Sequence, residues 1–228
     1  MLKADLHTHT YHSPDCLSTP ESIIQRCLKV GVNCLAVTDH NAIAGALEME
    51  RLAPFTIIVG EEVKTTHGEI IGYFLKEHIP RGLSPQETVE RIKAQGGLVC
   101  VPHPFDRLRR SVLRTDALLQ IASRIDIIEV LNARITLSTD IGEARDFALQ
   151  RRLPVSAGSD AHTPGEIGTA YVEMPEFGGP LDFCQALAQG RIRGHRAMPW
   201  VHLYSGYAKW RKKVLKAAIP SLAGKAGR

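Results

Sequence analysis

Histidines and carboxylates recur in this chain at spacings that suit cation binding. The first group is Asp5-Leu6-His7-Thr8-His9. Side chains alternate along an extended strand, so Asp5, His7 and His9 would share one face and Leu6 and Thr8 the other. Two imidazoles so spaced can reach one cation, with Asp5 as a further ligand or as the group that orients a ring. An isolated H-x-H is as readily a polar strand end, so this pair decides little unless other strands end in the same way. Several do. Thr38-Asp39-His40 closes the apolar run 34–37, Gly60-Glu61-Glu62 closes 56–59, and Pro102-His103-Pro104 closes 98–101. Glu129-Val130-Leu131-Asn132 comes after Ile125-Asp126-Ile127-Ile128, and Gly158-Ser159-Asp160-Ala161-His162 closes 154–157. Imidazole with carboxylate and no thiolate suits Zn, Mn or Fe rather than a structural zinc site. A bridging carboxylate can hold two cations about 3.5–4 Å apart, and such a pair lowers the pKa of a bound water so that hydroxide is available at neutral pH, which is the equipment of a hydrolase.

Such groups need elements that bring them to one place. Strand patterns fall at 2–8, 33–38, 56–63, 69–75, 98–102, 126–131, 154–158 and 170–174, and helical patterns at 20–30, 41–52, 84–95, 115–123, 140–151 and 180–189. Thr19 before Pro20 marks a helix start that Gly31 ends; Ser84-Pro85-Gln86-Glu87 opens another, which Gly96-Gly97 closes. Asp140 is placed as the cap of a helix ending near Arg152. Strands alternating with helices predict an α/β protein with a largely parallel sheet, open or closed into a barrel. The reactive residues would then gather at the C-terminal ends of the strands, where such folds assemble their sites.

With 228 residues and 44% hydrophobic composition, the chain can bury one sizeable core. No apolar run is long enough to span a membrane, and the start carries no signal-peptide plan, so a cytoplasmic location is expected. The cysteines Cys16, Cys27, Cys34, Cys100 and Cys184 are scattered and odd in number, which argues against a disulfide framework.

The net charge of +4 is unevenly spread. No acidic residue occurs after Asp182, and ten of the 28 Lys and Arg lie from Arg191 onward. The remainder has a balance of −6, as a cation-binding body would. The chain thus divides into a body, 1–198, and a basic tail, 199–228. In the tail Tyr207, Trp210, Val214 and Ala218 recur at helical spacing among Lys209, Lys212, Lys213 and Lys216. This predicts a basic amphipathic helix that packs its apolar stripe on the body and leaves its lysines in water. The alternative is contact with nucleic acid or an acidic membrane surface. Residues 221–228 read as disordered.

Taken in order, H-x-H, T-D-H, G-x-E, a His-Pro after a Gly-Gly-initiated strand and a late G-S-D-A-H resemble the PHP (polymerase and histidinol phosphatase) domain family, from Leu2 to about His195, and in particular its small stand-alone members. The resemblance implies a distorted (β/α)7 TIM-like barrel with two to three divalent cations in its C-terminal mouth. It implies His7, His9, Glu62 and Asp160 as ligands of one cation. Glu62 would bridge to a second, shared with His103, while Asp15, His40 and His162 would hold a third. His12 is a weaker substitute for Asp15. Many members carry a histidine before the strand that here reads Ile70-Ile71-Gly72-Tyr73-Phe74; this chain has Glu69 there, with His67 as the other stand-in.

The function so implied is hydrolysis of a phosphate ester, a phosphomonoester of a small metabolite or nucleotide, by attack of metal-bridged hydroxide on phosphorus. Asp160 and Glu62 would hold the reacting centre, and His162 or a cation-bound water would assist the leaving oxygen. Phosphoryl transfer needs positive charge around the equatorial oxygens, and one or two of Arg107, Arg109, Arg110 and Arg134 are expected to clamp the phosphate. Glu129 and Asn132 are expected to line the substrate pocket. The competing readings are a metal-dependent nuclease on single-stranded nucleic acid, with the tail as its electrostatic handle, and a non-catalytic metal-binding regulatory module.

Overall fold

A computed structural model describes residues 1–198 and 200–218. The elements run β1 (Leu2–Thr8), α1 (Pro20–Val30), β2 (Cys34–Val37), α2 (Ala44–Leu52), β3 (Thr56–Thr65), β4 (Gly68–Tyr73), α3 (Pro85–Ala94) and β5 (Leu98–Val101). Next come α4 (Thr115–Ile121), β6 (Ile127–Asn132), α5 (Ser138–Arg151), β7 (Val155–Gly158), β8 (Ala170–Met174), α6 (Pro180–Ala188), β9 (Arg191–Gly194) and α7 (Val201–Ala218).

Local signals set several helix ends. Thr19 caps α1 by accepting from Ser22 N–H at 3.4 Å, Pro20 takes the first turn, and Gly31 ends the helix in the left-handed region at φ 73°. Ser84 and Glu87 form a reciprocal capping box on α3. The expected cap at Asp140 is not what forms. α5 begins two residues earlier, and Asp140 lies buried in its first turn, accepting from Arg107 N–H at 3.3 Å.

The strands form one sheet in the order β7-β6-β5-β4-β3-β2-β1-β8-β9. It curls into a nearly closed barrel, because the chain after β7 meets β1: Asp160 N–H donates to His7 O at 2.8 Å and His9 N–H to Ala161 O at 3.0 Å. Gly158 makes this seam possible, since a Cβ there would lie 2.3 Å from His7 Cβ. The sheet is mixed rather than largely parallel. β1-β2-β3 and β5-β6-β7 pair in parallel, but β4 is antiparallel to both β3 and β5, and β8 is antiparallel to both β1 and β9. The reversal at β4 comes from a tight hairpin pairing Thr65 with Gly68. Gly68 takes φ 126°, and a Cβ there would sit 2.4 Å from Leu113 Cα.

Two apolar layers hold the sheet in place. Outside it, Ile23, Met49, Ile92, Leu118 and Phe147 of α1 to α5 pack on Leu35, Val59, Val99 and Ile128 of the strands. Inside, Ala4, Leu6, Ala36, Ile58, Ile71 and Tyr73 pack with Phe183 and Leu187 of α6. Cys34 and Cys100 belong to this inner layer, as small core residues.

The tail departs from expectation. α7 forms, but Tyr207, Trp210 and Val214 face solvent at 49%, 61% and 47% exposure. Among the described side chains of α7 the buried positions are Ser205 and Ala208, on the opposite face. Pro199 and residues 219–228, including the segment read as disordered, lie outside the described residues.

Candidate metal centre

The strand alternation expected for Asp5, His7 and His9 is interrupted. The register of β1 against β2 slips between Asp5 and Thr8, a bulge. Asp5 therefore parts from the histidines and accepts from Ser159 N–H and Gly168 N–H, each at 2.9 Å. Burial pushes its carboxyl up to about 6 against these hydrogen bonds. His7 and His9, both buried, turn instead toward Glu62 and Asp160.

His7 Nε2 lies 3.5 Å from Glu62 Oε2 and 3.8 Å from Asp160 Oδ1; His9 Nε2 lies 3.6 and 3.2 Å from the same two oxygens. Ligand atoms sharing a tetrahedral cation at bonds of about 2.1 Å stand about 3.4 Å apart. All four atoms are buried and lack a hydrogen-bond partner among the described residues. Buried polar atoms are seldom left so, and four that converge at ligand spacing fit a cation. The remaining ring nitrogens are committed elsewhere. His7 Nδ1 faces Glu129 Oε1 at 3.0 Å, His9 Nδ1 faces Ser13 Oγ at 3.1 Å, and His162 Nδ1 faces the Asp160 carbonyl at 2.8 Å. Each contact suits a proton on Nδ1, so that Nε2 can turn its lone pair to a cation once any second proton has left.

The other expected ligands gather around this pair. His103 Nε2 is 3.2 Å from Glu62 Oε1, and His40 Nδ1 is 3.0 Å from Glu62 Oε2 and 3.9 Å from Glu69 Oε1. Asp15 sits between His40 Nε2 at 3.4 Å and His162 Nε2 at 3.3 Å. Three sets have ligand atoms close enough to share an ion: His7-His9-Glu62, His40-Glu62-Glu69 and His9-His40-His162. Glu69, at the start of antiparallel β4, lies at the same edge as the ends of the parallel strands, which is why it reaches the cluster. His67 does not; its ring bonds to Thr66 Oγ1. His12 points away to Glu48 at 3.2 Å.

Charge inside the cluster is strongly coupled. Burial alone would raise the carboxyls of Glu62 and Asp160. His40 and His7 around Glu62, and Arg109 and His7 around Asp160, hold them well below the usual range. Burial would lower His7 and His40, but Glu129, Asp160 and Glu62 around the first and Glu62 and Asp15 around the second push both above the ordinary imidazole value. His9 goes the other way, down to about 4, through burial and its neighbours His162 and His40.

Several supporting residues have no signal in the sequence. Ser13 Oγ donates to Asp39 Oδ1 at 2.8 Å and accepts from His40 N–H at 2.9 Å, so one hydroxyl ties His9, Asp39 and His40 together. Asp39, visible in its motif but without a role there, also accepts from Thr10 N–H at 2.7 Å. Glu129 and Asn132 do not line an open pocket. They lie beneath the cluster, where Glu129 accepts from His103 N–H at 2.9 Å and from Asn132 Nδ2 at 3.1 Å.

A cavity of about 630 Å³ opens above the cluster, with Asp15, His40, Glu69 and His162 in its wall. Three of the four expected arginines, Arg109, Arg110 and Arg134, line it, as does Lys209 of α7. Arg109 Nη2 binds Asp160 Oδ2 at 2.7 Å, and Lys209 Nζ lies 3.2 Å from Asp15 Oδ2. Arg134 is held by Glu166 Oε1 at 3.0 Å and by Val201 O and Ser205 Oγ of α7 at 2.9 Å each. Arg107 is not in the cavity; its guanidinium is exposed and pairs with Glu143.

The fold and the ligand cluster define a TIM-like barrel protein whose mouth is fitted to bind divalent cations. The PHP domain profile matches residues 5–127, more than half of the chain, and a PHP-associated profile matches 140–192. The chain belongs to the PHP domain family. It is 41% identical over 145 residues to the uncharacterized protein MJ1587 of Methanocaldococcus jannaschii, a match covering 58% of this chain and 82% of that one. Among solved structures it resembles a protein of Bifidobacterium adolescentis provisionally described as a metal-dependent phosphoesterase (TM-score 0.59, 18% identity, 71% of this chain and 88% of that one). It also resembles a lesion-specific endonuclease of Pyrococcus furiosus (TM-score 0.56, 16% identity, 84% of this chain and 57% of that one). At these identities the two structures bear on the fold alone.

Proposed function

We propose that the protein hydrolyses phosphomonoesters of small molecules. The observation that carries this reading is the composition of the cavity. Its wall presents the candidate ligands Asp15, His40, Glu69 and His162 together with Arg109, Arg110, Arg134 and Lys209, and the buried, partnerless atoms of His7, His9, Glu62 and Asp160 lie beneath it. A floor that binds cations beneath a cationic wall suits a compact dianion held between the two. The volume, about 630 Å³, lies within the small-molecule range of roughly 300–1,000 Å³.

His7, His9, Glu62 and Asp160 would hold one cation. Glu62, Glu69 and His103 would take a second, and Asp15, His40 and His162 a third. When bound, such cations make hydroxide available at neutral pH and neutralise charge on the phosphoryl oxygens. Arg109 is held against Asp160 and so fixed at the edge of the cluster, where its second face can orient the phosphate. Glu129 and Ser13 fix the rings of His7 and His9 with their Nε2 atoms turned inward. His162 suits a ligand better than a proton donor, because burial lowers its pKa and its Nδ1 is committed to the Asp160 carbonyl.

The nuclease reading draws on the fold likeness to the endonuclease and on the basic α7 beside the cavity. One experiment separates the two: a panel of phosphomonoesters, a phosphodiester and a labelled oligonucleotide, assayed with Mn, Zn and Fe(II) beside Asp160→Ala. Metal-dependent phosphate release from a monoester, abolished in the variant, is the expected result. Oligonucleotide cleavage without monoesterase activity would replace the proposal with the nuclease. No turnover with any of the three metals would reject both.

A further inference from the structure

α7 is an amphipathic helix that turns its apolar stripe away from the body. At about 100° per residue, Leu203, Tyr207, Trp210 and Val214 form one stripe, while Val201, Ser205, Ala208 and Lys212 form another nearly opposite. The helix buries the second. Ala208 is fully buried, Ser205 bonds Arg134, and Lys212 Nζ donates to the carbonyls of Tyr11 and Ser13. The first faces solvent: Leu203 is 76% and Trp210 61% exposed. Trp200 continues it at the helix start, and the exposed Tyr204 and Leu215 lie farther round the helix, beyond Arg211. Beside it an apolar cavity of about 710 Å³, lined by Met198, Trp200, Tyr204 and Tyr207 among others, adds further apolar surface. A contiguous apolar face of this kind marks a contact surface.

We infer that this face docks on an anionic phospholipid bilayer. The charges around it select that occupant. Arg211 and Lys213 flank the stripe on its two sides, neither makes an ion pair among the described residues, and no acidic residue occurs after Asp182 in the sequence. Basic residues flanking tryptophan, tyrosine and leucine are the composition of helices that lie in the headgroup region. A second copy of the chain fits poorly, because two such faces would bring Arg211 and Lys213 against their own duplicates. Nucleic acid accounts for less of the face: Tyr207 and Trp210 offer stacking planes, but Leu203, Val214 and Leu215 offer neither charge nor a stacking plane. The contact is peripheral: no described helix is long and apolar enough to cross a membrane. The inner face meanwhile contributes Ser205, Gly206 and Lys209 to the cavity above the metal centre. A docked bilayer would therefore lie on the far side of one helix from that cavity.

The chain's two tryptophans, Trp200 and Trp210, both stand at this face, so intrinsic fluorescence reports on it directly. The full-length, metal-loaded protein is mixed with vesicles of phosphatidylcholine alone or of phosphatidylcholine with phosphatidylglycerol. Co-sedimentation and tryptophan emission are read at low and high salt. Binding with a blue shift, confined to the anionic vesicles and weakened by salt, is expected. R211E/K213E should lower the partition coefficient at least about tenfold, with the circular dichroism spectrum and thermal midpoint unchanged because both side chains are exposed. Trp210→Ala should reduce binding to the same vesicles. Absence of co-sedimentation, or equal binding to neutral vesicles, overturns the inference. A vesicle-independent dimer that blue-shifts the emission assigns the face to a second copy. Oligonucleotide binding lost in the same variants, without vesicle binding, assigns it to nucleic acid.

Discussion

Glu129→Gln tests the metal centre at a residue that touches no proposed cation. Glu129 Oε2 accepts from two donors, the His103 N–H at 2.9 Å and Asn132 Nδ2 at 3.1 Å, while Oε1 accepts from His7 Nδ1 at 3.0 Å. Glutamine has the same shape but one oxygen. If that oxygen stays with the two donors, the new NH2 group faces His7 Nδ1. His7 must then carry its proton on Nε2, the atom turned toward Glu62 and Asp160. The reverse orientation sets the NH2 group against two donors and costs more. The substitution thus blocks the lone pair that would bind the cation while leaving the packing intact. Loss of an orienting partner typically costs 10–100-fold in metal affinity, or about 1.4–2.7 kcal/mol. The assay is competition of the chelator-stripped protein against a chromophoric chelator, with imidazole nitrogen shifts read by NMR to assign the tautomer of His7. The loss should be confined to the cation held by His7, His9, Glu62 and Asp160. Wild-type affinity in a folded Glu129→Gln protein, or a His7 tautomer unchanged from wild type, would refute the reasoning.

Gly158→Ala would force a Cβ to within 2.3 Å of His7 Cβ and 2.6 Å of His7 N, so the barrel seam must part; the expected cost is about 1–3 kcal/mol or more, seen as a lower thermal midpoint and reduced metal content. Arg109→Met should raise KM for a phosphomonoester at least about tenfold, the size of one charge-assisted hydrogen bond, while Arg107→Ala, whose side chain pairs with Glu143 outside the cavity, should leave kinetics unchanged. Burial pushes the Glu61 carboxyl up to about 6 from 4.5, against the Ile79 N–H and His78. A raised folded-state pKa means the folded protein binds the proton more tightly. That contribution to stability is full below about 4.5 and is lost as pH rises through about 6. Glu61→Gln keeps an acceptor for Ile79 N–H, so it should flatten this window and raise stability at pH 7 by up to about 2 kcal/mol in chemical denaturation; a steeper slope would contradict the assignment. Because His7 and His40 hold protons above the ordinary value without a cation, metal binding near neutral pH should release protons, measured by calorimetry in buffers of different ionisation enthalpy.

The histidine and carboxylate groups are legible in the sequence because they interrupt apolar runs, and a buried strand tolerates such residues only where something compensates them. The residues that position them are not legible. Ser13 lies in a loop with nothing in its neighbours to mark it, and Glu129, visible as a strand-end carboxylate expected in the substrate pocket, shows its positioning role only when the structure sets it between His7 and His103. Strand direction is equally hidden. Periodicity records which face of β4 is buried, but its reversal depends on the hairpin from Thr65 to Gly68. β9, Arg-Ile-Arg-Gly, escapes a reading by pattern because an exposed four-residue edge strand has almost no apolar alternation to detect. For α7 the pattern shows an amphipathic helix but not its placement, since a hydrophobic stripe does not say whether protein or another phase will cover it.

Backbone strain shows where the fold spends stability on the site. His103 and Asp160 sit at φ 33° and 52°, conformations that side chains with a Cβ rarely adopt and that cost on the order of 1–3 kcal/mol each. Each stands two residues after the end of a barrel strand. Had either residue continued the strand, its own side chain would have pointed away from the barrel axis, since Cys100 and Ala157, three residues earlier, face the inner layer. The left-handed turn instead folds the chain over the mouth. At Asp160 the strain is held by the N–H bond to His7 O at 2.8 Å, and at His103 by the bond to Glu129 at 2.9 Å. The seam that closes the barrel and the carboxylate beside His7 are thus the same contacts that hold the two strained candidate ligands in place. A perturbation at Gly158 therefore reaches the site through the backbone, and one at Glu129 through the ring of His7, neither removing a candidate ligand.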